Sequence, residues 1–232
     1  MSTKKKGNNA DDKSVENIEN VLSKSEQFIE KNQKILLYIV AGLLIIVSAY
    51  WAYLKFYKSP RENDAVAQMF VAQRSFEKDS FNLALNGNVN YPGFLGIIED
   101  YSGTKAANLA NFYAGVCYLN LGNYDQAIDY LMDFSTDDII LASEKYGAIG
   151  DSYVQKDMID QAIKYYKKAV DDDYSNDFTT PIYLKKLALA YEHQGNYQEA
   201  FNAYEKIYKE HPQSQEAKTI QKYMERAKMH IE

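Results

Sequence analysis

The chain has 232 residues, 46% apolar and 25% charged, and its single cysteine, Cys117, excludes an intramolecular disulfide framework and a cysteine-only metal site. With only 11 Gly and 4 Pro it is poor in turn formers, which favours an all-α fold. The net charge of −6 is unevenly divided: residues 1–34 hold seven Lys and six acids, whereas residues 59–232 hold 17 basic and 26 acidic residues, a net of −9 that makes the C-terminal part a poor partner for nucleic-acid phosphates.

Residues 1–13, with Lys4, Lys5, Lys6 and a polar remainder, have almost nothing to bury and predict a disordered tail. In residues 14–34 the positions Val15, Ile18, Leu22 and Ile29 recur at three, four and seven residues, with Val21 and Phe28 beside them, and draw one apolar stripe on a helix. This segment is not basic, so its stripe fits a protein partner better than an anionic lipid surface.

Ile35 to Leu54 is twenty residues without a charge. At about 1.5 Å per residue it covers the ~30 Å hydrocarbon core of a bilayer. Tyr38 marks one interface and Tyr50, Trp51, Tyr53, Phe56 and Tyr57 crowd the other, so residues 35–57 predict a transmembrane signal anchor in contact with lipid. A cleaved signal peptide is disfavoured by the length of the run and by the absence of a small-x-small site after it. Seven Lys precede the span and four basic residues follow it closely. This bias places the N-terminus in the cytoplasm and the large domain outside, which in a bacterium means an inner-membrane anchor and a periplasmic domain.

A short break is expected at Ser59-Pro60-Arg61, followed by a degenerate repeat over residues 62–107, with Asp79 in its turn and Ala84 at a small-residue position. The turn-rich stretch Asn86 to Gly93 interrupts its second helix, which resumes at Phe94. Three clear repeats then occupy residues 108–213. Gly122-Asn123-Tyr124-Asp125-Gln126-Ala127-Ile128 returns as Asp157 to Ile163 and as Gly195-Asn196-Tyr197-Gln198-Glu199-Ala200-Phe201. A period of about 35 residues marks a helix-turn-helix solenoid.

Each first helix carries a small residue, Gly115, Gly150 or Ala188, and each second helix an alanine, Ala127, Ala162 or Ala200, so that the two approach closely. Tyr118, Tyr153 and Tyr191, with Leu131, Tyr166 and Tyr204, fill the remaining space. Gly122, Asp157 and Gly195 stand where a left-handed backbone is expected. Pro181 suits a helix start, Pro212 ends the last repeat, and residues 214–232 read as a polar capping helix.

These positions resemble the tetratricopeptide-repeat family in three copies, from about Asn108 to Pro212. The resemblance implies a partner or peptide groove lined by the first helices: Leu109, Phe112, Val116 and Leu119 in the first clear repeat, Glu144, Gly147, Asp151 and Val154 in the next, and Ile182, Lys185, Leu189 and Glu192 in the third. Phe112 and its neighbours are equally compatible with packing on the degenerate repeat before them. A carboxylate clamp of the type that grips a chaperone C-terminus is excluded, because its positions fall on Phe112, Val116, Ala148, Ile182 and Lys186, and only the last is suitable. The order of tail, amphipathic helix, single anchor and acidic solenoid, together with residues 25–34, also resembles the YfgM-like ancillary subunits of the SecYEG translocon. That resemblance implies translocon subunits, a membrane-anchored prolyl isomerase and exported chains as partners, and a chaperone-like role. An envelope-assembly or cell-division scaffold would share the same fold.

No catalytic pattern emerges, and no cofactor or metal site is expected. His193, His211 and His230 share no face with one another or with Cys117, and Asp171-Asp172-Asp173 lacks the ligand alternation of a calcium loop. The reading is therefore a binding scaffold rather than an enzyme.

Overall fold

The computed structural model describes residues 9–231, with side chains from Phe28 onward. The described residues are helical throughout apart from turns and one isolated bridge, and they form two compact units divided at Ser59.

In the first unit, helix α1 runs from Asn9 to Tyr53. It starts five residues before the stripe expected from Ser14. The proposed tail lies outside the described residues for positions 1–8. The stripe falls outside the described side chains except for Phe28 and Ile29, which are exposed. The aliphatic side chains from Ile35 to Val47 also stand exposed, apart from half-buried Leu36, and the most apolar eighteen-residue stretch has a mean hydropathy of 2.3 with none of it buried. This is the one helix among the described residues long and apolar enough to cross a membrane. At its C-terminal end Lys55 lies 4.8 Å over the Trp51 ring and Tyr53 stacks on Tyr57 at 5.4 Å. The expected break at Ser59-Pro60-Arg61 is absent. A π-helical turn, Leu54–Lys58, leads straight into α2, Ser59–Phe76. Pro60 has no N–H to give to the preceding turn, and the interruption falls next to the π-helical turn, where the Ser59 N–H bonds to the Leu54 carbonyl.

The second unit stacks ten helices. The degenerate repeat pairs α2 with a divided second helix, α3 (Phe81–Asn86) and α4 (Gly93–Asp100). The intervening loop is closed by the backbones of Gly87 and Gly93, both at positive φ, and carries a fully exposed Val89 at its tip. Phe76, Phe81, Phe94 and Tyr113 interlock with centroids 5.1–6.4 Å apart over Ala65, Met69, Leu85 and Ile97. Glu62 of α2 accepts the amides of Lys105 and Ala106 at 2.8 and 3.0 Å, which caps α5 (Lys105–Asn120) with a carboxylate at the positive end of its dipole.

The clear repeats are α5 with α6 (Tyr124–Asp133), α7 (Ile139–Gln155) with α8 (Ile159–Ala169), and α9 (Thr180–His193) with α10 (Tyr197–Glu210); α11 (Ala217–Lys228) closes the stack through buried Ile220 and Ala227. Each helix touches its chain neighbours, and the first helices α5, α7 and α9 touch in succession. Bonds from the start of a second helix to the end of the next first helix repeat this step, Asp125 with Lys156 and Asp160 with Gln194, and Glu192 of α9 pairs with Arg226 of α11. Gly122, Asp157 and Gly195 lie at φ 79°, 57° and 76°, so the three turns share the left-handed residue expected of them. A Cβ at Gly195 would meet nothing, so the backbone angle alone favours glycine there, as it does at the position Asp157 fills in the middle turn.

This equivalence can be measured. Gly195→Val lowers stability by about 1–2 kcal/mol, the cost of a left-handed L-residue, whereas Asp157→Gly leaves the melting temperature unchanged or higher. Thermal unfolding followed by circular dichroism checks both, and a stabilising Gly195→Val contradicts the assignment.

Candidate functional site

The small residues of the first helices determine which large ones reach the concave side. At Gly115 a Cβ would lie 2.6 Å from Leu131 Cγ, and at Gly150 it would lie 2.5 Å from the Tyr166 ring. Gly147, one turn earlier on α7, is the space taken by Tyr183: an added Cβ would fall inside that ring. These glycines let two rings cross between helices and present their hydroxyls to α7. Tyr183 donates to Glu144 at 2.9 Å and Tyr166 to Asp151 at 2.7 Å. Asp151 also accepts twice from the Lys186 ammonium, at 2.6 and 2.8 Å.

Burial raises the pKa of both phenols above the usual tyrosine range, and the adjacent carboxylates, Asp151 for Tyr166 and Glu144 for Tyr183, push in the same direction. Cys117 is fully buried and its thiol is pushed up to about 12 by that burial, which makes it an inert packing residue.

Two adjoining cavities open on this face. The first, about 420 Å³, is bounded by Leu119, Asn120, Tyr124 and Gln155; the second, about 220 Å³, by Ile159, Lys186, Leu189 and His193. Asp151, Val154 and Tyr166 line both. Val154 is 37% exposed and Leu189 40%.

The residues expected to face a groove divide accordingly. Leu109 packs on the degenerate repeat, whereas Phe112, Val116 and Leu119 pack forward onto Leu131, Ala148, Ile149 and Tyr165, with Phe112 5.3 Å from Phe134. Ile182 is half-buried, and Lys185 turns away to lie 5.2 Å over the Tyr223 ring of α11. The exposed aliphatic side chains are thus Val154 and Leu189, toward the turn-proximal ends of α7 and α9, while Leu119 is half-buried and borders the first cavity from the cluster. Sequence reasoning passed over Asn120, Gln155 and His193. Asn120 and Gln155 occupy the same register in consecutive repeats, directly after Leu119 and Val154, which was the available signal. Among the described residues no three His, Cys, Asp or Glu side chains converge as metal ligands would.

Two sequence profiles, each described as tetratricopeptide repeat, match residues 109–137 and 148–215. Those stretches are tetratricopeptide repeats. Among solved structures, a variant of nearly identical TPR-like repeats of a Podospora anserina kinesin light chain aligns with a TM-score of 0.54 at 13% identity, over 73% of this chain and 87% of that one. MamA aligns with a TM-score of 0.47 at 19% identity, over 72% and 87%. These likenesses concern the fold. No curated protein sequence matches the chain. Tetratricopeptide repeats mediate protein–protein interactions, and the two cavities lie across consecutive repeats.

Two outcomes test this arrangement. Gly147→Ala costs about 1–3 kcal/mol through overpacking against Tyr183, and the cost falls sharply in a Tyr183→Ala background; equal costs in both backgrounds refute the contact. Because the raised phenol pKa values belong to the folded state, the stability from Tyr166 and Tyr183 is intact below the ordinary phenol pKa of about 10 and is lost as pH rises beyond it. An alkaline titration therefore shows these two tyrosines ionising only as helical circular dichroism collapses; full tyrosinate absorbance with intact helices contradicts it.

Proposed function

We propose that this chain is a membrane-anchored protein-interaction scaffold with no enzymatic activity, acting as an ancillary Sec translocon subunit or chaperone-like factor on exported proteins. The carrying observation is the open turn-proximal face, where Val154 and Leu189 stay exposed while the surrounding charges are internally paired. A surface that displays aliphatic side chains and satisfied polar groups is suited to holding polypeptide; it offers no activated nucleophile or acid–base pair. The apolar helix over residues 35–53 would supply the tether, and the excess of Lys before it supports a topology with the repeats on the periplasmic side of a bacterial inner membrane. Tethering raises the local concentration of the repeats beside membrane-bound partners, so a weak groove can act on chains as they emerge. The partners implied are translocon subunits, a membrane-anchored prolyl isomerase and the exported chains themselves.

Affinity capture of the full chain in mild detergent, followed by mass spectrometry, is expected to recover translocon subunits, and an alkaline phosphatase reporter fused after Glu232 is expected to be active. Recovery of envelope-assembly or division proteins instead, or an inactive reporter, overturns the reading.

A further inference from the structure

The two ends of the helical stack are finished differently. At the C-terminal end α11 exposes Lys218, Gln221, Lys222 and Glu225, a polar face of the kind a solenoid end needs. At the N-terminal end α2 buries Ala65, Met69 and Ala72 on the degenerate repeat, and its opposite face carries Val66, Ala67, Phe70 and Val71 in the open, with Val66 53% and Phe70 61% exposed. Steps of three and four residues put these side chains on one stripe. Every helix from α5 to α10 packs on the helix before it and the helix after it. The stripe of α2 stands where a preceding helix would lie.

The ends of the stripe carry opposite charges. Asp64 lies before it and Arg74 one turn beyond Phe70, about 15 Å apart at about 1.5 Å per residue. Neither has an ion-pair partner among the described residues, and the Arg74 guanidinium rests 5.0 Å over the Phe70 ring. A helix carries acids most favourably in its first turn and bases in its last. Laid antiparallel on α2, such a helix brings its acids to Arg74 and its bases to Asp64. This is also the direction in which a stack of helical hairpins continues. A single convex helix has no sheet edge or groove for an extended chain, and Asp64 opposes an anionic lipid surface. A second copy turned end for end would meet the same charges, but the two anchors would then leave the pair from opposite ends, which does not suit chains held in one membrane.

Resting on the scaffold reading above, we propose that the outer face of α2 is a separate docking surface for an amphipathic helix of a different protein. That helix runs antiparallel to α2, with apolar residues at i, i+3, i+4 and i+7, an acidic first turn beside Arg74 and a basic last turn beside Asp64. Phe70 is the anchor of the contact, and the small Ala67 beside it leaves room for one large apolar side chain of the partner.

The test uses the full chain in lipid nanodiscs, with empty nanodiscs as the control for lipid partitioning. Stapled, fluorescein-labelled helical peptides carry leucine at i, i+3, i+4 and i+7 with Glu in the first turn and Lys in the last, with Glu at both ends, or with Lys at both ends. Fluorescence anisotropy is expected to show the mixed-charge peptide binding about tenfold or more tighter than the other two. Phe70→Asp, at an exposed position that leaves the melting temperature unchanged, reduces that binding by a similar factor, and Arg74→Glu shifts the preference to the peptide with Lys at both ends. An N-terminal cysteine on the mixed peptide forms a disulfide with Glu77→Cys and not with Ser59→Cys. Equal affinity for the three peptides, indifference to Phe70→Asp, the reverse disulfide pattern or no binding overturns the proposal. So does a dimer by mass photometry that Phe70→Asp dissolves, which makes a second copy the occupant, or quenching of a fluorophore at Ala67→Cys by nitroxide-labelled lipid, which makes the membrane the occupant. These results concern the end of the stack alone; the scaffold reading stands while affinity capture recovers translocon subunits and falls if it does not.

Discussion

Everything in the repeat unit depends on how closely paired helices approach, and that distance is governed by residues that lack a side chain. Gly115 and Gly150 sit against Leu131 and the Tyr166 ring, and Ala127, Ala162 and Ala200 are each fully buried. Protein interiors are packed densely enough that one methyl group matters, so these positions fix the spacing from which the rest of the stack follows. Because each unit contacts only its neighbours, an error at one such position falls on the adjoining repeats rather than being shared by a common core. The polar links between repeats, Asp125 with Lys156 and Asp160 with Gln194 at equivalent edges and Glu192 with Arg226 onto α11, set register more than they add stability, since exposed pairs contribute little in water.

The same close approach shapes the concave side. Glycine at position 147 admits a ring from the following repeat; the Tyr183 hydroxyl then bonds Glu144, and the Tyr166 hydroxyl adds a bond to Asp151 beside those from Lys186. The middle repeat is consequently polar where the repeat before it is apolar. What stays open is the turn-proximal strip, where aliphatic side chains lie among charges that already have partners. A strip of this kind suits polypeptide and offers nothing to a small charged ligand.

The parts of this account that were legible in the sequence are those decided locally. A left-handed turn leaves its mark in Gly122, Asp157 and Gly195, a membrane-crossing helix in twenty uncharged residues, and a close helix pair in an alanine twelve residues after a small residue. The accessible surface was not legible, because Phe112, Val116 and Leu119 look the same whether they line a groove or wedge between repeats. The choice between those roles was made by Leu131, Ile149 and Tyr165, which pack against them from later helices. Likewise, only the position of Tyr183, 36 residues downstream, explains why residue 147 is glycine. The expected break at Ser59 failed for a local reason: a π-helical turn directly before Pro60 carries the helix past the residue that lacks an N–H, and residue composition holds no sign of such a turn.

The central claim is that the turn-proximal strip, and not the apolar cluster beside it, meets other polypeptides. Site-specific photo-crosslinking in cells addresses it directly, with a benzophenone amino acid placed in the full chain at Val154, at Leu189 or at Phe112. The account predicts adducts with other polypeptides from Val154 and Leu189 and none from Phe112. Adducts from Phe112 with none from the strip would contradict it.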